Sequence, residues 1–292
     1  MALSPTHLLV EPTSAQIAAA ISQTTVAPLP DGGLLVATFA RASTRTRVSA
    51  CRAARALGLD FLEIPWGSFY GNPDVHPFTP QNAKAELRSL KELGARALIA
   101  RIGDQQALER LADSSPIPVI SGATSNWHPL QALADLAVLA RHFPQGRPRI
   151  AIIGNGGGPV TSSLIASAPP GYDLVVVCPR GFEPLPELAE RRAIRILSNP
   201  DEGVAEADVI YLDEWVYRTP SADEKKVFGR YRMTEALVDK RAPKARIMHC
   251  LPHAEEVEES LLFGRRSLVW EQVSARTSTL AAVLGQMLEQ DR

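Results

Sequence analysis

The sequence predicts an α/β protein with two doubly wound domains, each a parallel sheet flanked by helices. Three observations predict it. Predominantly apolar runs of strand length recur along the chain, helix-periodic segments lie between many of them, and a proline-rich break falls near the midpoint. A strand buried on both faces reads as a continuous apolar run, and strand–helix alternation builds parallel sheets.

The strand-like runs cover residues 34–39, 97–102, 118–121, 149–154, 174–178, 209–212 and 246–249. Segments 48–57, 83–93, 106–113 and 129–142 carry apolar residues at i, i+3 and i+4, which predicts amphipathic helices. The stretch from His142 to Pro148 combines a helix stop with two prolines, so a domain junction is expected there. The expected domains span residues 1–143 and 144–275, with 276–292 as a C-terminal helix packing back on the first domain. Prolines cluster at 65–80 and 179–186, predicting long loops of the kind that carry function.

The 292 residues suffice for two ordinary domains, and 31 Lys plus Arg balance 32 Asp plus Glu to a net charge of −1. This balance argues against a nucleic-acid backbone or an anionic membrane as the main partner. No run of roughly 18 apolar residues is present, and the start lacks the charged region of a signal peptide, so a cytoplasmic protein is expected. Cys51, Cys178 and Cys250 are widely spaced, which suggests neither a disulfide framework nor a structural metal site. No metal and no cofactor is expected.

In open parallel sheets ligands collect beyond the carboxyl ends of the strands. After the first strand, Ser43, Thr44, Arg45 and Thr46 fall at a strand-to-helix turn. They combine hydroxyls, free backbone N–H groups, the positive helix end and a guanidinium. That is a phosphate cradle without a glycine loop; the alternative is a solvated basic helix start with an N-cap.

Three blocks carry a family resemblance: Ser43-Thr-Arg-Thr-Arg47; Ala100-Arg-Ile102 with His128-Pro-Leu-Gln-Ala-Leu-Ala-Asp135; and His249-Cys-Leu-Pro252. In order and spacing they resemble the aspartate and ornithine carbamoyltransferases over about residues 34–284, the last block in the form typical of the ornithine branch. The resemblance implies that carbamoyl phosphate binds in the cleft between the two domains, followed by an amine whose attack on the carbonyl carbon releases phosphate. Closure of the domains would exclude water.

On that resemblance Ser43, Thr44, Arg45 and Thr46 hold the phosphate, while Arg101, His128 and Gln131 reach the carbamoyl group. Negative charge builds on the carbonyl oxygen during attack, so Arg101, His128 and the Thr46 hydroxyl would form an oxyanion site. For His128 alone a core or capping role is the alternative. Gln131 follows one helical turn later on the same face. The Leu251 and Pro252 carbonyls would accept from the carbamoyl NH2 across a peptide bond that is usually cis. Arg276, read as lying before the last helix, resembles an arginine contacting the carbamoyl oxygen. Cys250 would form a wall near the attacking amine; a merely buried thiol is the alternative.

The acceptor side departs from the pattern. The ornithine branch carries Gly-Asp-Gly-Asn-Asn, whereas this chain reads Gly154-Asn155-Gly156-Gly157-Gly158. Its Asp-x-Trp-x-Ser-Met-Gly loop is kept only as Asp213-Glu-Trp215, with Tyr217-Arg218-Thr219 in place of Ser-Met-Gly. Glu214 stands where the aspartate branch places an arginine, and would repel aspartate. The expected acceptor is therefore amino-acid-like but neither ornithine nor aspartate, with Asn155, Gly157, Asp213, Tyr217, Arg218 and Cys250 around it. Asp213 would orient the amine, or simply cap a strand end; Arg218 and Tyr217 would read a polar end of the acceptor.

Two other readings stay open: ornithine carbamoylation to citrulline, and a non-catalytic ligand-binding or regulatory trimer of the same fold. The Gly154-x-Gly156 turn is a poor dinucleotide fingerprint, because Pro159 occupies the third glycine position. A homotrimer is implied by the family. In family members a loop from a neighbouring subunit completes the site; here the stretch 65–80, with Trp66, Phe69, Tyr70 and Phe78, takes its place, and Ser68, His76 and Gln81 are candidate contributors.

Overall fold

Branched apolar residues at alternate positions let β1 (Leu34–Phe39) bury both its faces. Leu35 and Ala37 enter one apolar cluster with Ala97 and Ile99, while Val36 enters another with Leu98 and Ala100. The computed structural model describes residues 7–22, 27–66, 80–144 and 146–290. Its chain divides into two compact units: the first ends at Ala137 and resumes at Ser274, and the second runs Val138–Val273.

In the first unit β1, β2 (Asp60–Glu63), β3 (Ala95–Arg101) and β4 (Val119–Ala123) form an all-parallel sheet in the order β2-β1-β3-β4. The register sets Phe39 beside Arg101 at the carboxyl ends of β1 and β3, where the strand order changes direction. The short helix Ser14–Ser22 contributes Ala20 to the same apolar cluster as Leu280, Leu284 and Leu288 of the last helix.

In the second unit β5 (Arg149–Ile153), β6 (Asp173–Val177), β7 (Arg195–Leu197), β8 (Val209–Leu212) and β9 (Arg246–His249) are parallel in the order β7-β6-β5-β8-β9. The direction of winding reverses between β5 and β8, where Ile153 pairs with Leu212. Each unit is thus doubly wound, and its switch point is where a crevice for ligands forms.

Two strands escaped the apolar-run reading. β2 and β7 are edge strands with alternating or mostly exposed residues, so neither presents a continuous apolar stretch. The division between the units also differs from the expected one. It falls at Ala137 and Val138, within the helix Pro129–His142, and again at Val273 and Ser274. That second point lies inside the helix Val269–Gln290, so the final helix starts at Val269 and not at 276. The Ser267 hydroxyl accepts from the Val269 N–H at 3.2 Å and Glu271 supplies the first-turn acid, both ordinary signals for a helix start.

Among the described residues no helix is long and apolar enough to cross a membrane. The expected contributors Ser68 and His76, with Phe69, Tyr70 and Phe78, lie outside the described residues, and the side chain of Gln81 is likewise not described.

Candidate active site

The chemistry-bearing residues collect at the two switch points, and each unit carries its own group. In the first unit Ser43 adopts the extended backbone of an N-cap (φ −155°), and the helix Thr44–Ala56 begins directly behind it. Its hydroxyl makes no capping bond, leaving the first-turn N–H groups to other acceptors. Ser43 and Arg45 are half-buried, Thr44 is exposed and Thr46 is fully buried. Arg47, the last residue of the motif, turns away: it forms a bidentate pair with Glu63 at 2.6 and 2.7 Å and lies over Phe39.

Arg101 ends β3 and donates from Nη1 to the Gly122 carbonyl at 2.8 Å, and the same nitrogen lies 3.4 Å from Nε2 of His128. A guanidinium only donates, so Nε2 is the acceptor and the ring proton belongs on Nδ1. His128 is brought there by a tight turn. The Thr124 hydroxyl accepts from the N–H groups of Asn126 and Trp127, after which Pro129 opens the next helix.

Gln131, on that helix, donates to Asp135 at 2.8 Å, which fixes its amide orientation and turns its oxygen toward Arg276. Arg276 donates to this oxygen and to the Thr46 hydroxyl, the latter at 2.9 Å. It does so from the second turn of the last helix, not from a segment preceding it, because that helix opens at Val269.

The electrostatic result is one-sided. Burial, followed by the charges of Arg276, Arg101 and Arg45, holds the His128 imidazole well below its ordinary pKa, and hence neutral. Three guanidinium groups therefore act on one buried neutral ring. Such a field favours an anion, and fixed donors of this kind stabilise charge that develops on an oxygen.

In the second unit Asp213 follows β8 and is fully buried. Its Oδ2 accepts from the Thr161 N–H at 3.2 Å and the Thr161 hydroxyl at 2.7 Å. Thr161 lies in the first turn of the helix Pro159–Ser167, so the carboxylate caps a helix start. Oδ1 accepts from the Glu214 N–H at 2.8 Å, the Cys250 thiol at 3.3 Å and the Tyr217 hydroxyl. Burial raises the Asp213 pKa above the usual carboxylate value, against the lowering effect of Tyr217, Thr161, Cys250 and the Glu214 N–H. Burial likewise pushes the Cys250 thiol well up, with Asp213 and Glu214 adding to it, so Cys250 stays protonated and acts as a donor.

Glycines let the neighbouring loop come this close. Gly154 has φ +129°, and a Cβ on it would lie 2.6 Å from the Asp213 carbonyl oxygen. Asn155 closes this turn: its Oδ1 accepts from the Gly157 N–H at 3.1 Å. Gly157 is exposed.

Arg218 makes a bidentate pair with Glu224 at 2.9 and 2.6 Å and its side chain is 63% exposed, while Tyr217 faces Asp213. The two adjacent side chains thus take different partners within the chain. Glu224 also completes the capping box with Ser221. An open cavity of about 210 Å³ is bordered by Glu214, Trp215, Arg218, Lys225, Pro252 and Glu256.

Cys250, Leu251 and Pro252 follow β9 in a turn with a cis Leu251–Pro252 bond and Leu251 at φ 52°. His249 holds this turn: its Nδ1 accepts from the Leu251 N–H at 2.7 Å, so its proton sits on Nε2, 2.9 Å from Glu256. Thr161, Glu256 and Asp135 also hold the two sites in place. Asp135 closes the second motif block and was legible there; Thr161 and Glu256 carry no local signal.

Known proteins resemble this chain over both units. Residues 7–141 match the aspartate/ornithine carbamoyltransferase carbamoyl-P binding domain, and residues 147–287 match the Asp/Orn binding domain of the same family. The chain is 31% identical over 267 residues to the ornithine carbamoyltransferase of Methanothermobacter thermautotrophicus, covering 87% of this chain and 86% of that protein. It is 30% identical over 283 residues to that of Bacillus subtilis, covering 92% and 86%. The solved ornithine carbamoyltransferase from Thermus thermophilus superimposes with a TM-score of 0.84 at 26% identity, covering 97% of this chain and 98% of that one. Motif, fold and relatives converge: the chain belongs to the aspartate/ornithine carbamoyltransferase family, and it is a carbamoyltransferase.

Proposed function

We propose that this carbamoyltransferase moves the carbamoyl group of carbamoyl phosphate to the side-chain amine of ornithine, releasing phosphate. Relatives named ornithine carbamoyltransferase at 30–32% identity support ornithine as the acceptor. The observation that carries the transfer itself is the set of guanidinium groups of Arg45, Arg101 and Arg276 acting on the buried neutral His128. Ser43, Thr44, Arg45 and Thr46 hold the phosphate at the helix start. Arg101, His128 and Arg276 polarise the carbonyl, with Gln131 positioning Arg276.

The amine nitrogen bonds to the carbonyl carbon, the carbon–oxygen bond to phosphate breaks, and phosphate leaves with that electron pair. The amine proton goes to the departing phosphate. An alkyl ammonium with a pKa near 10.4 is only about 0.1% neutral at pH 7.4, so its deprotonation is part of the barrier. The Leu251 and Pro252 carbonyls accept from the carbamoyl NH2, and a homotrimer is part of the same reading.

A second reading, an acceptor other than ornithine, is favoured by one feature: Tyr217 donates to Asp213, the carboxylate assigned to the acceptor. Phosphate release and ureido-product formation, measured with carbamoyl phosphate and a panel of amines, test both. Turnover with ornithine supports the first reading; turnover confined to other amines supports the second. Ligand binding without turnover for any amine would instead indicate a non-catalytic protein of the same fold. Light scattering at three times the 31.6 kDa chain mass checks the trimer.

A further inference from the structure

We propose that Tyr217 and Gly158 together determine acceptor specificity, the Tyr217 phenol taking the place on Asp213 that a second ammonium group of the acceptor would otherwise occupy. The inference rests on the carbamoyl-transfer reading above and refines its acceptor class: primary amines with or without a second, non-reacting ammonium.

The Asp213 carboxylate offers about four lone-pair positions. Five donors already address it: the N–H and hydroxyl of Thr161, the Glu214 N–H, the Cys250 thiol and the Tyr217 hydroxyl. Two are backbone N–H groups. The Thr161 and Cys250 side chains sit on a helix and at the end of β9, both buried. Of the three side-chain donors only Tyr217 comes from the half-buried loop beyond β8, so it is the donor that an arriving ligand must replace.

The ring lies directly against residue 158, which has no side chain. A Cβ on Gly158 would lie 2.9 Å from Tyr217 Cε2 and 3.0 Å from the phenol oxygen. The tyrosine and the glycine are therefore matched in volume, and a larger residue at 158 would push the phenol off the carboxylate. They occupy positions where the ornithine-branch pattern has Ser and Asn, so both departures meet at one contact.

The chemistry follows from protonation. A carbamoyl acceptor attacks through a neutral amine, whereas a buried carboxylate stabilises the ammonium form. A cation paired with Asp213 would thus be one that does not react. With the phenol supplying a neutral donor, an acceptor without that second cation loses nothing at Asp213. A diamino acid must either displace the phenol or leave its second ammonium without this partner.

Ornithine and 5-aminopentanoate differ only in the α-ammonium, so the ratio of their kcat/KM values isolates this contact. With saturating carbamoyl phosphate, the wild-type ratio of ornithine to 5-aminopentanoate is expected to stay within tenfold. Tyr217→Ser, alone or with Gly158→Asn, should raise it at least tenfold, with carbamoyl phosphate affinity changed less than twofold. Tyr217→Phe, which keeps the ring, should raise the ratio in the same direction and covers the case in which the serine variant does not fold. A wild-type preference for ornithine above tenfold, or a ratio unmoved in the variants that fold, overturns the inference while leaving carbamoyl transfer standing. No turnover of any amine by the wild type overturns both.

Discussion

The Arg276 guanidinium donates a 2.9 Å hydrogen bond to the Thr46 hydroxyl, joining residues 230 positions apart. Its other terminal nitrogen donates to Gln131. One side chain from the last helix thereby ties the start of the helix Thr44–Ala56 to the helix that follows His128. All three residues are buried, so these bonds are shielded from water and from salt.

Arg276→Met should weaken carbamoyl phosphate binding by about 10- to 150-fold, the loss of about 1.5–3 kcal/mol expected for a hydrogen bond to a charged group. Isothermal titration with carbamoyl phosphate measures it. Unchanged affinity would mean that Arg276 serves packing alone.

His128 makes stability depend on pH. Its folded pKa lies well below the unfolded value of about 6.5, so below that pH the unfolded chain binds a proton that the folded chain refuses. Stability should fall as the pH drops from about 6.5, and His128→Asn, which cannot titrate, should flatten that slope. Melting temperatures between pH 7.5 and 5.5 report it. Equal slopes in the two proteins would contradict the assignment.

The three thiols should react unequally. Cys51 is exposed, burial raises the Cys178 thiol to about 12, and Cys250 is held well above its ordinary value. Iodoacetamide at pH 8 should label Cys51 and spare the other two in the native protein, as read by peptide mass spectrometry. Prompt labelling of Cys250 would show that its link to Asp213 is not maintained.

Glu256→Ala should remove the partner of the His249 Nε2–H and loosen the turn carrying Cys250, Leu251 and Pro252. Leaving a buried donor unsatisfied costs about 1–3 kcal/mol. Burial raises the Glu256 pKa, but His249 and the Ala254 N–H outweigh it and the net shift is downward. Its stabilisation is therefore present above the unfolded carboxylate pKa and is lost as the pH falls through the folded value. A melting temperature lowered at pH 7 but converging with wild type in acid is the expected result; Glu256→Gln should lie between the two.

Some of this was readable in the chain alone. The continuous apolar runs at Leu34–Phe39 and Arg149–Ile153 mark strands covered on both faces, and the motif blocks mark the family, because backbone burial and anion chemistry leave local signatures. Edge strands such as Asp60–Glu63 left none, being half exposed. Which partner each polar side chain takes was beyond local reading. Adjacent in sequence, Tyr217 turns to Asp213 and Arg218 to Glu224; Thr161 meets Asp213 across 52 positions, and Glu256 meets His249 only because the chain turns back within seven positions. A hydrogen bond depends on angle and distance to within a few tenths of an ångström, and the packed backbone sets these in a way that residue type and spacing do not encode. The sequence determined the class of chemistry; tertiary packing decided which donors occupy the buried Asp213 carboxylate.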